Sequence, residues 1–286
     1  MKRVFIIGSL LLLGLGAFVV YDYIRINDGK LHVVICDVGQ GDGIFIRTPS
    51  RKNILIDAGP DKSIVRCLSS HMPFWDRTIH KLILSHPHDD HFFGMQFVLD
   101  RYSVLSFDTE DLYNDTKGYK DLMEKVNKEK AVMNVIYSGD ILSTSDGMNI
   151  EVVSPSRIYL DLVSPNRLIA ERGEQASLIQ QLSYKDFDIY FASDNDYEII
   201  DFTFENQSDP IEVLQVPHHG SRFGLTKQLL EKVSPQVAVI SVGKNNYGHP
   251  SKEVIELLKN KEVKVLRTDQ KRDIEIVTDG VRWQVK

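Results

Sequence analysis

The sequence predicts an α/β sandwich behind a short N-terminal apolar segment. Short runs of β-branched and apolar residues alternate with helical patterns along most of the chain. About 260 residues follow the apolar segment, which is enough for one domain with a large core. No repeat or low-complexity tract divides this length. We therefore place the apolar segment at residues 1–25 and one folded domain at 26–286.

The first 25 residues have the charge pattern of a membrane-targeting segment. Lys2 and Arg3 precede 17 uncharged and mostly apolar residues, from Val4 to Val20. A helix of this length spans roughly 26 Å, at the short limit for a membrane-spanning helix and slightly long for a signal-peptide core. We expect an uncleaved signal anchor. A cleaved signal peptide is the alternative, weakly suggested by the small residues at 14–17. Because the positive residues come first, the following domain is expected to lie outside the cytoplasm, either anchored or, after cleavage, secreted.

The remaining chain divides into predicted strands and helices. Strands are expected at 31–36, 43–48, 53–57, 81–85, 148–153, 177–183, 187–192, 211–215, 236–241, 263–267, 273–277 and 281–285. Helices are expected at 61–71, 117–130, 223–233 and 251–260. The polar stretch from Asp100 to about Lys120 is expected to be an exposed excursion, either shaping the site entrance or forming a plain solvated loop.

Four potential metal ligands lie within six residues at the end of one predicted strand. Residues 86–91 read His-Pro-His-Asp-Asp-His and directly follow an apolar run. An extended backbone places His86 and His88 on the same side, and Asp90 and His91 come after the chain has turned. Imidazole and carboxylate suit zinc or manganese, and two such ions about 3.5–4 Å apart can activate water and stabilise a displacement at phosphorus or carbonyl carbon. A solvated polar turn is the alternative, but this density of ligands favours a dinuclear metallohydrolase.

The same motif resembles the HxHxDH signature of the metallo-β-lactamase superfamily. Further segments resemble motifs of one branch of it: Asp-Val-Gly-Gln-Gly-Asp at 37–42, Ile-Asp-Ala-Gly at 56–59, Val-Pro-His-His-Gly-Ser at 216–221 and the late segment 241–250. In this order the motifs are similar to the metallo-β-lactamase domain of ComEC-type DNA-uptake competence proteins, from about residue 30 to the C-terminus. The resemblance implies a four-layer αββα sandwich.

The resemblance also implies two divalent ions, Zn²⁺ or Mn²⁺, that share one bridging carboxylate. The residues that match the family's ligands are His86, His88, Asp90, His91, Asp194 and His219. One ion would be held by His86, His88 and Asp194, and the other by Asp90, His91, Asp194 and His219. Asp194 could instead cap a turn. His219 matches the last histidine ligand better than His218, although the reverse order is an alternative.

One ligand of the family scheme has no counterpart in the sequence. Many superfamily members supply a further histidine before the bridging aspartate, whereas residues 174–179 contain none and Gln175 stands where the ComEC-like branch carries asparagine. An amide oxygen binds zinc less well than imidazole does. We therefore expect the ion at His86 and His88 to be weakly held, exchangeable or better suited to manganese.

Several residues outside the ligand set are expected to assist. Asp57 ends a predicted strand and could orient a metal-bound water or a ligand histidine. Asp37 and Asp42 flank glycines, so a structural role in the turn is nearly as good an interpretation. Pro250 suits the first turn of the helix at 251–260, which would place His249 at its N-terminus, beside a bound phosphate or as a plain cap. His218 and Ser221 are expected to contact the substrate.

The donor set predicts a metal-dependent hydrolase, and the resemblance implies a phosphodiesterase, expected outside the cytoplasm, that acts on DNA or another phosphodiester. Asp90 would hold an ion, Asp57 would support the site, and His249 or a polarised water would protonate the leaving group. The net charge of −6 is not that of a general nucleic-acid binder, so DNA contact would need a local basic patch or the metals. Alternatives are a choline-phosphate esterase or another small-ester hydrolase, and a non-catalytic binding module with a degraded site.

Cys36 and Cys67 are the two cysteines of the chain. Cys36 lies in an apolar run, where a buried free thiol is the expected state.

Overall fold

Two mixed β-sheets pack face to face in the computed structural model, which describes residues 2–169, 176–203 and 210–286. The first sheet has eight strands in the spatial order β17 (Trp283–Val285), β16 (Ile274–Thr278), β1 (Leu31–Ile35), β2 (Ile44–Arg47), β3 (Asn53–Ile56), β5 (Lys81–Leu84), β7 (Ser106–Thr109) and β8 (Val132–Val135). The second has seven in the order β15 (Lys264–Arg267), β14 (Val237–Ile240), β13 (Val213–Gln215), β12 (Phe187–Phe191), β11 (Ile179–Tyr184), β10 (Asn149–Ser154) and β9 (Ile141–Ser143). A small sheet joins β4 (Thr78–Ile79) to β6 (Ser103–Val104).

Ten α-helices are found among the described residues. They are α1 (Lys2–Ile26), α2 (Ser63–His71), α3 (Asp89–Phe92), α4 (Met95–Leu99), α5 (Lys117–Glu129), α6 (Arg157–Val163), α7 (Tyr197–Thr203), α8 (Lys227–Val233), α9 (Lys252–Asn260) and α10 (Thr268–Lys271). Side-chain caps define several starts: the hydroxyl groups of Thr116, Thr226 and Ser251 accept hydrogen bonds from the backbone at the beginning of α5, α8 and α9.

Three apolar layers hold these elements together. The layer between the sheets joins residues such as Val33 and Ile46 of the first sheet to Val152 and Ile189 of the second. A second layer packs α2, α4 and α5 on the outer face of the first sheet, and a third packs α8 and α9 on the outer face of the second. Inner strands such as β1, β2 and β3 are therefore buried on both faces, which explains why they read as continuous apolar runs, whereas the edge strands β8 and β9 are largely exposed. The order helix, sheet, sheet, helix confirms the predicted four-layer αββα architecture.

The predicted excursion after Asp100 is wrong for its first half. Residues 106–109 form β7, an inner strand of the first sheet, and both Asp108 and Glu110 are buried. A buried aspartate is tolerated there because Asp108 accepts hydrogen bonds from Lys81 at 2.9 Å and Asn134 at 2.6 Å on the two neighbouring strands. These partners lie 27 and 26 residues away in sequence, so the sequence pattern alone predicts a loop for this segment.

The expected free thiol at Cys36 is also wrong. Cys36 and Cys67 form a disulfide, with their Cα atoms 5.8 Å apart. Cys36 follows β1, and Cys67 lies on the buried face of α2. The packing of α2 over the end of β1 brings the two thiols together, and this contact cannot be read from a sequence separation of 31 residues.

The N-terminal apolar segment forms the helix α1, whose described side chains are largely exposed, including Leu11, Leu12 and Leu13 at 70–71%. No helix within the described part of the chain combines the length and apolar character that crossing a membrane requires. The signal anchor remains a prediction.

Candidate metal centre

The predicted ligands converge at one end of the sandwich, between the two sheets. Residues 86–91 follow β5 of the first sheet, and Asp194 and His219 follow β12 and β13 of the second. Strand β12 runs parallel to β13, so the loops after both strands emerge at the same edge. The two sheets therefore contribute to one site from opposite sides.

Four of the predicted ligands form a compact cluster: Asp90, His91, Asp194 and His219. One potential ligand atom from each lies within 4.8 Å of all the others. His91 Nε2 is 3.3 Å from one oxygen of Asp194, and His219 Nε2 is 3.4 Å from the other. Asp90 lies 3.6 Å from His219 Nε2 and 3.9 Å from His91 Nε2. Both carboxylates thus face both imidazoles, with Asp194 between the two rings.

The chemistry of this cluster fits a divalent metal ion. Three facing atoms, His91 Nε2, His219 Nε2 and Asp194 Oδ1, are buried and have no hydrogen-bond partner among the described residues. Buried polar atoms of a native protein normally have partners, and imidazole nitrogen with carboxylate oxygen is a donor set of zinc and manganese sites. Burial disfavours charge on either ring, but the surrounding carboxylates, with Asp194 and Asp90 common to both rings, together outweigh it and hold the pKa of His91 and of His219 well above the usual value. The cluster thus attracts a positive charge.

Asp57 lies behind His91 and fixes its orientation. Asp57 Oδ2 is 2.9 Å from His91 Nδ1, so Nδ1 is engaged and Nε2 is the ring nitrogen that faces the cluster. Asp57 is itself held by the backbone N–H of Ser85 at 2.8 Å and by the Ser85 hydroxyl at 2.6 Å. The structure thus places Asp57 beside His91, a predicted ligand, which is one of the two positions expected from the sequence. The sequence did not predict the role of Ser85 in holding Asp57, although Ser85 directly precedes the histidine motif.

His219 is the histidine of its pair that enters the cluster. Its Nδ1 donates to the Ser241 carbonyl at 2.9 Å, so Nε2 is again the free atom. His218, His219 and Gly220 all have positive φ angles, which turn the two histidine side chains in different directions. His218 lies at the rim instead, with Nε2 3.9 Å from Asp194 and Nδ1 3.8 Å from Asp196.

His86 and His88 form a separate pair. His86 Nε2 lies 3.0 Å from His88 Nδ1, as expected for side chains on the same side of an extended segment. Burial holds the pKa of His86 well below its usual value, so its ring is neutral, as a metal ligand must be. Among the described residues, no third histidine, cysteine or carboxylate lies within 4.8 Å of both. Gln175, the residue predicted to stand at this position, lies outside the described residues.

The glycine loop at 37–42 packs directly against the metal motif. A Cβ on Gly41 would lie 2.1 Å from the Asp90 carbonyl oxygen, so only glycine allows this approach. The next residue, Asp42, is buried, with Oδ1 3.7 Å from His219 Nδ1 and Oδ2 accepting a hydrogen bond from Gln215 at 2.6 Å. Asp42 thus supports the loops that carry the predicted ligands. The roles of Asp42 and Gln215 depend on contacts between segments that are distant in sequence, so they could not be predicted from the sequence.

His249 lines the pocket above the cluster. The pocket has a volume of about 200 Å³ and is lined by Gln40, His88, Asp90, Asp194, His218, His219, Tyr247 and His249. Burial, with the neighbouring His218 and His219, lowers the pKa of His249 to about 4, so its ring is neutral at pH 7. The expected helix start is wrong by one position: Ser251 caps α9, and Pro250 precedes that cap. Ser221 is buried and lines the adjoining groove.

Sequence and structure comparisons agree with this geometry. The metallo-beta-lactamase superfamily model matches residues 36–107, which include the glycine loop and the histidine motif. The chain therefore carries, at residues 36–107, a segment that matches the metallo-beta-lactamase superfamily. YhfI of Bacillus subtilis, a metallo-beta-lactamase fold protein, superposes with a TM-score of 0.54 at 10% identity over 82% of this chain and 95% of YhfI.

Two competence proteins resemble most of this chain. ComE operon protein 3 of Bacillus subtilis is 25% identical over 267 residues, which cover 87% of this chain and 33% of that protein. Competence protein ComA of Neisseria gonorrhoeae is 24% identical over 262 residues, which cover 89% of this chain and 33% of that protein. The chain therefore spans about a third of the length of these relatives. The family match, the fold and the donor cluster together support a metal-dependent hydrolase of the metallo-β-lactamase superfamily.

Proposed function

We propose that this chain is a metal-dependent phosphodiesterase that cleaves DNA or another phosphodiester outside the cytoplasm. The observation that carries the proposal is the cluster of the half-buried Asp90 with the buried His91, Asp194 and His219, which lies at the floor of a pocket lined by the neutral His249. The similarity to two competence proteins supports DNA as the substrate.

The protein's own residues would hold two ions unequally. Asp90, His91, Asp194 and His219 supply a complete set for one ion. His86 and His88 supply only two imidazoles for the second, a poorer set in which Asp194 does not lie within reach of both rings. Divalent ions such as zinc or manganese would provide Lewis acidity, which acidifies water and neutralises charge on a phosphate. Asp57 and Ser241 keep the Nε2 atoms of His91 and His219 facing the cluster, so the ligands are oriented before an ion binds.

His249 and His218 would act on the substrate. Their rings lie 5.5 Å apart at the rim of the pocket, beyond the metal cluster. His249 Nδ1 is buried without a hydrogen-bond partner among the described residues, so the ring can still engage a bound phosphate oxygen. Because its pKa of about 4 leaves it neutral near pH 7, His249 would donate a hydrogen bond to the phosphate or the leaving oxygen while keeping its own charge unchanged.

The location outside the cytoplasm is also part of the proposal. The disulfide between Cys36 and Cys67 supports it, because structural disulfides persist mainly in oxidising compartments. The charge pattern at Lys2 and Arg3 supports the same orientation.

The test is turnover by the purified full-length chain loaded with zinc or with manganese. Substrates are an aryl phosphodiester, single-stranded DNA, a phosphomonoester and a choline ester. We expect turnover of both phosphodiesters, and Asp194→Asn should lower it at least about 1,000-fold, because this change disturbs the donor between the two rings. The matched control is Asp186→Asn, which changes an exposed carboxylate on the turn between β11 and β12. Its turnover should equal that of the wild type.

Two outcomes would contradict the proposal. Turnover of monoesters or choline esters alone would assign the chain to the small-ester hydrolases. Full metal occupancy with no turnover of any substrate would indicate a binding module.

A further inference from the structure

A second and larger concavity opens beside the metal pocket. This groove has a volume of about 700 Å³ and shares His218, Tyr247 and His249 with the pocket. Its other lining residues are Ser221, Arg222, Phe223, Gly248, Ser251, Lys252 and Glu253. A substrate with its phosphate at the metal cluster therefore has a continuous path into the groove if it extends beyond that phosphate.

Two exposed aromatic rings stand along this path. Tyr247 is 77% exposed and Phe223 is 49% exposed, although both are large rings that gain by being covered. The Tyr247 ring lies 5.8 Å from the His249 ring, with 34° between their planes. Tyr247 thus continues the row of rings that runs from the metal cluster through His218 and His249 to the surface. Exposed aromatic rings in such positions are stacking platforms for unpaired bases.

The groove also carries positive charge on a chain whose net charge is −6. Arg222 and Lys252 are exposed, and neither forms an ion pair with a carboxylate in the described ranges. The Arg222 guanidinium lies over the Phe223 ring, 4.6 Å from its centroid, which holds the charge beside the stacking face. Glu253 is the one acidic side chain of the described lining, so the two cations leave an excess of one positive charge. Backbone phosphates are complementary to this charge.

We propose that the groove binds unpaired nucleotides of a single strand next to the phosphate that is cleaved. Tyr247 and Phe223 stack on bases, and Arg222 and Lys252 contact the flanking phosphates. The inference rests on the proposed phosphodiesterase function and makes it more specific, because bases within a duplex are already stacked and cannot reach the two rings. The groove therefore selects a single strand over a duplex.

Binding is the first test, because it needs no turnover. The full-length chain, freed of metal with EDTA, is titrated with a fluorescein-labelled 12-nucleotide single strand, and anisotropy is recorded. We expect Tyr247→Ala to weaken binding about 5- to 160-fold, which corresponds to the loss of one base stack. Tyr247→Phe should restore it, since the stacking face is retained. Arg222→Ala combined with Lys252→Ala should reduce the slope of log affinity against log salt by about 1.4.

The control variants distinguish the loss of a ring or a charge inside the groove from the loss of any exposed ring or charge. Phe74→Ala removes another exposed ring, and Arg282→Ala removes another exposed cation, both outside the groove. Both should bind like the wild type. Since Tyr247 is mostly exposed, its variants should also melt at the wild-type temperature.

Turnover is the second test and separates the two proposals. With metal restored, Tyr247→Ala should lower the ratio of kcat/KM for the strand to that for an aryl phosphodiester about 10-fold. The proposed role of the groove is overturned if Tyr247→Ala keeps wild-type affinity, if a duplex binds as tightly as the strand, or if the wild type binds no strand. Tyr247-dependent binding without phosphodiester turnover would overturn the proposed function alone. Phosphodiester turnover together with strand binding that does not depend on Tyr247 would overturn the proposed role of the groove alone.

Discussion

At the scale of single residues, the two predicted histidine pairs, His91 with His219 and His86 with His88, differ in the hydrogen bonds that their ring nitrogens make. His91 and His219 each have Nδ1 engaged, by Asp57 at 2.9 Å and by the Ser241 carbonyl at 2.9 Å, and each presents Nε2 to the cluster. His86 has Nε2 against His88, and its Nδ1 contacts the Ser85 hydroxyl at 3.1 Å. An ion at the first pair meets oriented donors with two carboxylates, whereas an ion at the second pair must separate two rings.

The first prediction follows from this difference. His219→Ala should remove the tightly bound ion, and His86→Ala should leave it in place. Elemental analysis after dialysis measures both, with His71→Ala, a histidine outside the site, as the control. Full occupancy in His219→Ala together with loss of both ions in His86→Ala would reverse the assigned order of affinities.

His32 provides a prediction about pH. Burial lowers its pKa, but hydrogen bonds to Glu275 at 2.7 Å and Asp28 at 2.9 Å outweigh this and raise it. A raised pKa in the folded state means that the stabilisation is complete below the unfolded value of about 6.5 and is lost as pH rises through the folded value. From pH 6 to pH 8, the free energy of unfolding should therefore fall more steeply in the wild type than in His32→Gln. Urea unfolding at the two pH values measures this, and an equal fall in both proteins would contradict it.

At the scale of the elements, the disulfide ties α2 to the end of β1. It closes a segment of 31 residues, for which chain entropy predicts a contribution of about 3–4 kcal/mol to the free energy of unfolding. Denaturant unfolding should therefore shift to lower concentration when a thiol reductant is added. The Cys67→Ser variant should match the reduced protein and be insensitive to the reductant. A wild type that is equally stable in both conditions would contradict the structural role.

The sequence allows most elements to be predicted and leaves out those that depend on distant partners. Strands such as β1 and β2 are buried on both faces, so their residues are apolar without interruption. Strand β7 contains Asp108, whose partners Lys81 and Asn134 are known only once β5 and β8 flank it. The same distinction holds in the site. The motif at 86–91 is contiguous and can be recognised, whereas Asp42, Ser85 and Gln215 gain their roles from contacts between loops.

At the scale of the whole molecule, the orientation across a membrane is open to direct test. Because Lys2 and Arg3 precede the apolar segment, a reporter fused after Lys286 should lie outside the cytoplasm. An alkaline phosphatase fusion should be active and a β-galactosidase fusion inactive. Replacing Lys2 and Arg3 with glutamate should weaken this preference. A fusion that is active only as the cytoplasmic reporter would overturn the location and, with it, an extracellular substrate.

Because the four clustered donors come in pairs from opposite sheets, Asp90 and His91 from one and Asp194 and His219 from the other, ion binding and sheet docking are thermodynamically linked. Separating the sheets would divide the donor set and release the ion. An ion at 100 times its dissociation constant therefore adds about 2.7 kcal/mol to the stability of the sandwich. The melting temperature should rise with the logarithm of free metal concentration, so that a thermal scan across a metal titration reports the affinity of the site in the absence of any substrate.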